Sequence, residues 1–260
     1  MRKPVLHFYD FSHDVVAFST TRRGGFSEGN YGQFNINRYC GDNVEAIARN
    51  RQALCQLLDI DESRLLMPHQ VHLTEIATID DDFLRLDSDG RQQRLEGVDA
   101  IMTDMSGVCI GVSTADCIPV LLYDSMHHAA CAVHAGWRGT VARIVEKAVK
   151  AMTEIYGSNA ADIQAQIGPG IGLDSFEVGD EVYDAFAQAG FEMHAISERR
   201  EKWHINLPQC NKLQLMAMGV KPERISVSDI CTYKSHDTFF SARRLGINSG
   251  RIFTGISLKS

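Results

Sequence analysis

Cysteine and histidine recur in three short segments: His69 and His72 in Pro68-His69-Gln70-Val71-His72, Cys117 in Ala115-Asp116-Cys117-Ile118-Pro119, and His134 in His134-Ala135-Gly136-Trp137-Arg138-Gly139. One thiolate and two imidazoles, Cys117, His134 and one of His69 and His72, make three protein ligands. Three ligands with an open fourth position are the pattern of a catalytic zinc site, where the metal lowers the pKa of water. Cys117 and His134 also allow a metal-free reading, a cysteine nucleophile with a histidine base. A third reading makes Cys117 a small buried side chain. Asp116 beside Cys117 and Arg138 just after His134 bear on the choice. Unpaired charge is costly to bury, so these segments should face a polar cleft.

The elements that must position these residues are strands and one helix. Val108 to Val112 is an apolar, β-prone run leading to Cys117, Pro119 opens a second run over Val120 to Tyr123, and Ala129 to Val133 is a third that ends at His134. Side chains alternate along a strand, so His128, Ala130, Ala132 and His134 share one face, while Cys131 and Val133 point into the opposite one. Cys131 therefore reads as a core cysteine, and His134 as a strand-end residue. After it, Val141, Ile144, Val145, Ala148, Val149, Met152 and Ile155 fall on one helical face, which Gly157 ends. The glycine-flanked entry to that helix and Arg138 would favour an anion such as phosphate.

Composition bounds the rest. The chain has 260 residues, 44% of them hydrophobic, and a formal net charge of −7. That suffices for a large α/β core, and residues 1–260 are read as a single domain. The basic pairs Arg22-Arg23, Arg199-Arg200 and Arg243-Arg244 are too small to make nucleic acid the main partner. No apolar run reaches the length of a membrane span. The start, MRKPVLHFYDF, lacks the apolar centre of a signal peptide. Seven scattered cysteines without a CxxC pair suit reduced thiols in a cytoplasmic protein. No obligate protein partner is expected.

Elsewhere, Val15 to Thr20 reads as a strand followed by a long Gly-Asn-Arg loop. Asp42 reads as the N-cap of a helix running to about Leu58, with Glu45 completing a capping box. Ile76 to Ile79, Val98 to Thr103, Ile163 to Ile167, Ile225 to Val227 and Ile252 to Ile256 read as strands. Asp180 to Ala189 and Leu207 to Met218 read as helices. Asp80 to Arg94 is expected to be a polar loop, and Phe191 to Arg200 an irregular segment. Pro68 argues against a helix around His69 and His72, and in an extended chain these two face opposite ways, so only one should reach a common site. Gly168-Pro169-Gly170-Ile171-Gly172 has the wrong spacing for a dinucleotide fingerprint.

Taken together, Pro68 to His72, Ala115 to Pro119, His134 to Gly139 and Ile167 to Ile171, in this order, resemble the bacterial multicopper polyphenol oxidase (laccase) domain family. Its members are also named purine nucleoside phosphorylase or peptidoglycan-editing factor. Thr21-Arg22-Arg23-Gly24-Gly25 with Asn35, Gly41-Asp42, Asn50-Arg51 and the tail Cys231-Thr232, Phe240-Ser241, Arg243-Arg244 and Gly250-Arg251 match as well, so the resemblance covers nearly the whole chain. It implies an α/β fold with mixed sheets sandwiched between helices, in α/β/β/α layers. It also implies a zinc site of His72, Cys117 and His134. The activities it implies are phosphorolysis of adenosine, inosine and methylthioadenosine, with adenosine deamination. A hydrolase editing a mis-made UDP-muramyl-peptide precursor is the alternative.

Expected partners are thus a purine nucleoside and phosphate. Attack of zinc-activated water on the purine C6 needs a carboxylate proton shuttle, which Asp116 or Glu177 would supply. Arg138 is the expected phosphate holder, with Arg22, Asn35, Gln70 and Arg243 as further substrate or phosphate contacts. Many members of the family carry cysteine where Ser175 stands and tyrosine where Ala242 stands, departures that bear on substrate preference. Copper is disfavoured, because histidines 7, 13, 69, 127, 128, 194, 204 and 236 do not form the His-x-His pairs of a multicopper cluster. A metal-independent cysteine hydrolase and a binding protein without turnover complete the alternatives.

Overall fold

The computed structural model describes residues 3–259; Met1 and Arg2, part of the N-terminal stretch read above, and Ser260 lie outside the described residues. Two sheets are stacked. One has the strand order Leu6–Tyr9, Val15–Thr20, Ile252–Leu258, Cys109–Thr114, Leu65–Leu66. The other runs Ile225–Val227, Gln164–Ile167, Ile118–Asp124, Ala129–Ala135, Ala100–Thr103, Ile76–Thr78. Both are mixed: Leu65–Leu66 pairs parallel with Cys109–Thr114, and Ile76–Thr78 parallel with Ala100–Thr103, among antiparallel neighbours. A small third sheet joins Glu177–Val178, Trp203–Ile205 and Ser197–Arg199.

The alternation of side chains explains the layering. Ile110 and Val112 of one sheet meet Leu121, Tyr123, Ala130 and Ala132 of the other in a dry core between the sheets. The opposite faces point outward to helices. Val120, Leu122, Cys131 and Val133 pack on Ile144, Val145, Ala148, Val149 and Met152 of the helix Ile144–Tyr156. Phe18, Cys109 and Phe253 pack on Ala53, Leu54 and Cys55 of the helix Val44–Leu58. The result is the expected α/β/β/α arrangement. Strands buried on both faces read as continuous apolar runs, as Ile118–Asp124 and Ala129–Ala135 do. Each fully buried Val, Leu or Ile side chain there contributes about 1.5–3 kcal/mol. No helix among the described residues is long and apolar enough to cross a membrane.

Four local expectations are corrected. The segment after Ile79 folds into the short helices Asp81–Arg85 and Ser88–Arg94, because Asp80 and Asp87 cap them through the backbone N–H of Phe83 and Gly90, and Phe83 is buried. The face read from Val141 to Ile155 is interrupted: Arg143 is left-handed at φ 63°, which separates Trp137–Val141 from Ile144–Tyr156, and Ile155 in the last turn is exposed. Asn43, not Asp42, caps the helix Val44–Leu58, since the Asp42 carboxylate is engaged by Ser27 and Asn35. The segment after Phe191 is ordered as the helix Met193–Ile196 and the strand Ser197–Arg199, the latter paired to Trp203–Ile205.

Candidate active site

Two crossings between the stacked sheets build the site. Leu65–Leu66 and Cys109–Thr114 lie side by side and parallel in one sheet, so both chains leave it in the same direction. The first crosses through His72 to Ile76–Thr78, and the second crosses through Ala115-Asp116-Cys117 to Ile118–Asp124. His134 stands in Ala129–Ala135 opposite Pro119, beside the second crossing. One ligand atom from each of His72, Cys117 and His134 therefore lies within 4.8 Å of the others. The two imidazoles meet edge to face with ring centres 4.8 Å apart. Gly136 closes the floor: a Cβ there would stand 3.0 Å from His72 Cδ2 and 3.1 Å from Cys117 Sγ, so a side chain would press on both groups.

A buried carboxylate that sequence reading passed over holds this geometry. Asp99 Oδ1 accepts from His134 Nδ1 at 2.7 Å and from the His72 backbone N–H at 3.0 Å. Its Oδ2 accepts from the backbone N–H of Leu73 at 2.7 Å and of Val71 at 3.3 Å. His72 itself is left-handed at φ 65°, a conformation costly for a residue with a Cβ, and Asp99 clamps the turn on both sides of it. With Nδ1 tied to Asp99, His134 presents Nε2 to Cys117 and His72. Such carboxylate–histidine pairs orient metal-binding imidazoles. A signal was present: Asp99 interrupts an otherwise apolar run between Val98 and Ala100.

Gln70 ties the two crossings together, its Nε2 donating to Ser113 O at 2.8 Å and its Oε1 accepting from Ser113 N at 2.7 Å. Asp116, left-handed at φ 91°, is fixed by its own carboxylate, which accepts from Thr232 Oγ1 and from the Arg243 backbone N–H, each at 2.7 Å. The glycine-rich turn after Ile167 buttresses it from behind. Ile171 N donates to Asp116 O, and a Cβ on Gly170 would meet Asp116 O at 3.1 Å and Cys117 O at 3.2 Å.

The electrostatics favour metal binding. Burial alone would raise the Cys117 thiol, but the charge on His134 and hydrogen bonds from His134 and His72 outweigh it and bring the thiol down to about 6. Burial opposes the His134 charge, yet Cys117 and Asp99 raise that imidazole. Asp99 is likewise held below its ordinary value: burial is overcome by His134 and the backbone N–H groups. A thiolate is the metal-binding form of cysteine.

The cluster sits in a cavity of about 220 Å³ whose walls include Tyr39, Cys40, His69, Gln70, Thr114 and Arg251. His69 lines it without joining the ligand group; its Nδ1 bonds Glu96 at 2.7 Å and its ring stacks on Tyr39 at 4.2 Å. Of the residues expected from sequence to hold metal, phosphate or substrate, Gln70, His72, Cys117 and His134 line this cavity, and the others do not. Arg138 is exposed and lies over Trp137. Glu177 belongs to the small sheet and pairs with Lys202 at 2.8 Å. Arg22 donates to Gly32 O and His236 O, and the Arg243 guanidinium to Glu177 O. Asn35 is buried in a knot with Asp42, Asn37 and the Arg251 backbone. Ala242 does line the cavity, whereas Ser175 contacts Cys231 away from it. Tyr39, Cys40 and Thr114 carry no local motif that marks them as wall residues, and the Gly250-Arg251 match gave Arg251 no role; only the folded chain gathers them.

Comparisons with known proteins agree with this architecture. A purine nucleoside phosphorylase of Bacteroides thetaiotaomicron is 49% identical over 94% of this chain and 92% of its own. A protein named adenosine deaminase RL5, from an unknown prokaryotic organism, is 44% identical over 98% of both chains. Among solved structures, the Bacillus licheniformis hypothetical protein YfiH superposes with a TM-score of 0.88 at 30% identity, over 94% of this chain and 93% of that one. Geobacillus stearothermophilus YlmD gives 0.87 at 29% identity, over 95% and 93%. Residues 16–259 match the family model described as multi-copper polyphenol oxidoreductase laccase, and the chain belongs to that family.

Proposed function

We propose that this protein is a zinc-dependent purine nucleoside enzyme. In this reading it phosphorolyses adenosine, inosine and methylthioadenosine and also deaminates adenosine. The observation that carries the reading is the His72–Cys117–His134 donor set within 4.8 Å at the base of a nucleoside-scale cavity. Relatives named for purine nucleoside phosphorylase and adenosine deaminase supply the substrate class.

One thiolate and two imidazoles suit zinc, and a site with three protein ligands would leave a position open for water or substrate. Bound zinc supplies Lewis acidity and lowers the pKa of water. The residues of the chain do the rest. His72, Cys117 and His134 would hold the ion, Asp99 fixes the His134 tautomer, and Gln70 ties the two crossings together. His69 lines the cavity and its Nδ1 donates to Glu96, which leaves Nε2 as the unprotonated, accepting nitrogen of the neutral ring. It takes the place first given to Asp116 and Glu177, one locked in the loop and the other outside the cavity. Polyphenol oxidation fits less well. His127 is bound to Asp124, His204 to Leu173 O and His69 to Glu96, apart from the ligand cluster. Four-electron reduction of O₂ would need further copper ligands near it.

A second reading, hydrolysis of a UDP-muramyl-peptide precursor, draws support from a neighbouring cavity of about 700 Å³ that shares Tyr39 and is lined by Arg38, Arg51 and Arg91. Metal content of the wild type and of Cys117→Ala, with chromatography of adenosine incubated with and without phosphate, tests both. The expected result is one zinc per chain, lost in the variant together with phosphate-dependent adenine release. Bound zinc with no reaction on nucleosides transfers support to the larger substrate. Full activity in metal-free Cys117→Ala refutes the site.

A further inference from the structure

Of the residues lining the cavity, Arg251 is the one with a permanent positive charge. It immediately precedes the strand Ile252–Leu258, whose Ile252 pairs with Thr114 in antiparallel register. Continuing that register sets Arg251 beside Ala115, two residues before Cys117. Its backbone N–H donates to Asn35 Oδ1 at 3.1 Å, which anchors it to the buried knot beneath.

The guanidinium is fixed without being neutralised. One terminal nitrogen donates to Ser249 O at 2.6 Å and Gly250 O at 3.1 Å, the other to Ile247 O at 2.9 Å. Carbonyls hold the group but leave its charge, and among the described residues Arg251 forms no ion pair. Arg38 and Arg51 in the neighbouring cavity differ, since both are paired with Glu62. A second observation points the same way. Thr114 Oγ1 is buried, belongs to a residue of the cavity wall, and has no hydrogen-bond partner. Buried hydroxyls are ordinarily satisfied.

We propose that Arg251, assisted by Thr114 Oγ1, is the binding site for inorganic phosphate in this cavity. The inference rests on the phosphorolysis reading for its use in turnover, but not for the binding itself. A phosphate dianion entering the cavity loses hydration, and a preorganised guanidinium with an idle hydroxyl replaces it. In the reaction, a phosphate oxygen bonds to C1′ of the ribose as the C1′–N9 bond breaks. The bonding pair leaves with the base, and the proton of HPO₄²⁻ ends on a base nitrogen.

The test uses the full-length, zinc-loaded protein with inorganic phosphate as the probe, read by titration calorimetry and by steady-state kinetics. Arg251→Gln should weaken phosphate binding about 30-fold or more, as expected for truncating one partner of a desolvated charge pair. Arg251→Lys should recover part of that loss. The KM for phosphate should rise in parallel with Kd, and by a larger factor than any change in the KM for nucleoside, a split that a purely structural role for Arg251 would not give. Thr114→Val, which preserves shape, should weaken phosphate binding about five-fold, the worth of one hydrogen bond. Phosphate binding by Arg251→Gln, or by Thr114→Val if the former does not fold, at wild-type strength overturns the proposal. So does a wild type that binds no phosphate. A wild type that binds phosphate through Arg251 yet releases no base upholds the site and refutes the phosphorylase reading instead.

Discussion

Replacing Asp99 by asparagine removes one charge and almost no volume, yet the geometry leaves the amide no good orientation. Asp99 accepts four hydrogen bonds, from His134 Nδ1 and from the backbone N–H groups of Val71, His72 and Leu73. If the amide oxygen faces His134 and His72, its NH₂ group confronts the N–H groups of Leu73 and Val71. Two buried donors then lose their acceptor, at about 1–3 kcal/mol each. If the amide is flipped, NH₂ faces His134 Nδ1, which must become an acceptor. The ring proton then moves to Nε2, the nitrogen that faces Cys117 and His72, and metal ligation is blocked. In either orientation the left-handed turn at His72 loses its clamp. The expected outcome is a zinc affinity lower by about 10–100-fold, the usual effect of removing such an outer partner. The metal-free protein should also melt lower by on the order of 10 °C. Competition with a chromogenic chelator gives the first quantity, and thermal denaturation with and without zinc gives the second. Zinc affinity within a factor of about two of wild type would refute the claim that one carboxylate positions both imidazoles.

Four further outcomes follow from the same geometry. In metal-free protein, alkylation of Cys117 should be half-maximal near pH 6, because the neighbouring imidazoles favour the thiolate; the thiolate fraction rises with pH, so reaction is already fast at neutrality. Zinc should protect Cys117, and a midpoint in the ordinary thiol range of about 8.5 would contradict the arrangement. Gly136→Ala should lower zinc affinity roughly tenfold at nearly unchanged fold stability, since its Cβ would press on His72 and Cys117; equilibrium dialysis would check this. Ala242→Tyr should raise the nucleoside KM about tenfold by filling part of the cavity. Glu177→Gln should change turnover less than about twofold, as expected for an exposed residue outside the cavity, whereas Asp116→Asn should cost about 1–3 kcal/mol by presenting a donor to the Arg243 N–H. Parallel assays and melting curves of the two variants would separate these roles.

Much of this protein is local, and the local part was legible in the chain. The strand Val15–Thr20 declares itself through β-branched residues, Gln164–Ile167 through weak alternation, and the helix Ile144–Tyr156 through its apolar face. The alternation that put Cys131 in the core and His134 on the other face is a property of any extended strand. The motifs around His72, Cys117 and His134 identified the family, and with it the layered fold. Where sequence reading erred, short-range polar contacts decided: caps at Asp80 and Asp87 folded a charged segment into helices, and a left-handed Arg143 broke an otherwise continuous helical face.

Other features depend on contacts between residues far apart in the chain. Charge and residue type marked Asp116, Glu177, Arg22, Arg138 and Arg243 as chemistry-bearing, but type does not say where a side chain points. Packing spent Asp116 on Thr232 and Arg243, spent Arg22 on carbonyls, and left Glu177 and Arg138 outside the cavity. The residues that complete the site, Asp99, Tyr39, Thr114 and Arg251, come from different strands and loops and reach one another only through sheet register and the stacking of two sheets. Sequence determined the candidate donor residues and the elements that carry them, because residue type and periodicity are local. Tertiary structure alone decided which polar groups remain free to meet a substrate, because that depends on which hydrogen bonds the fold has already used.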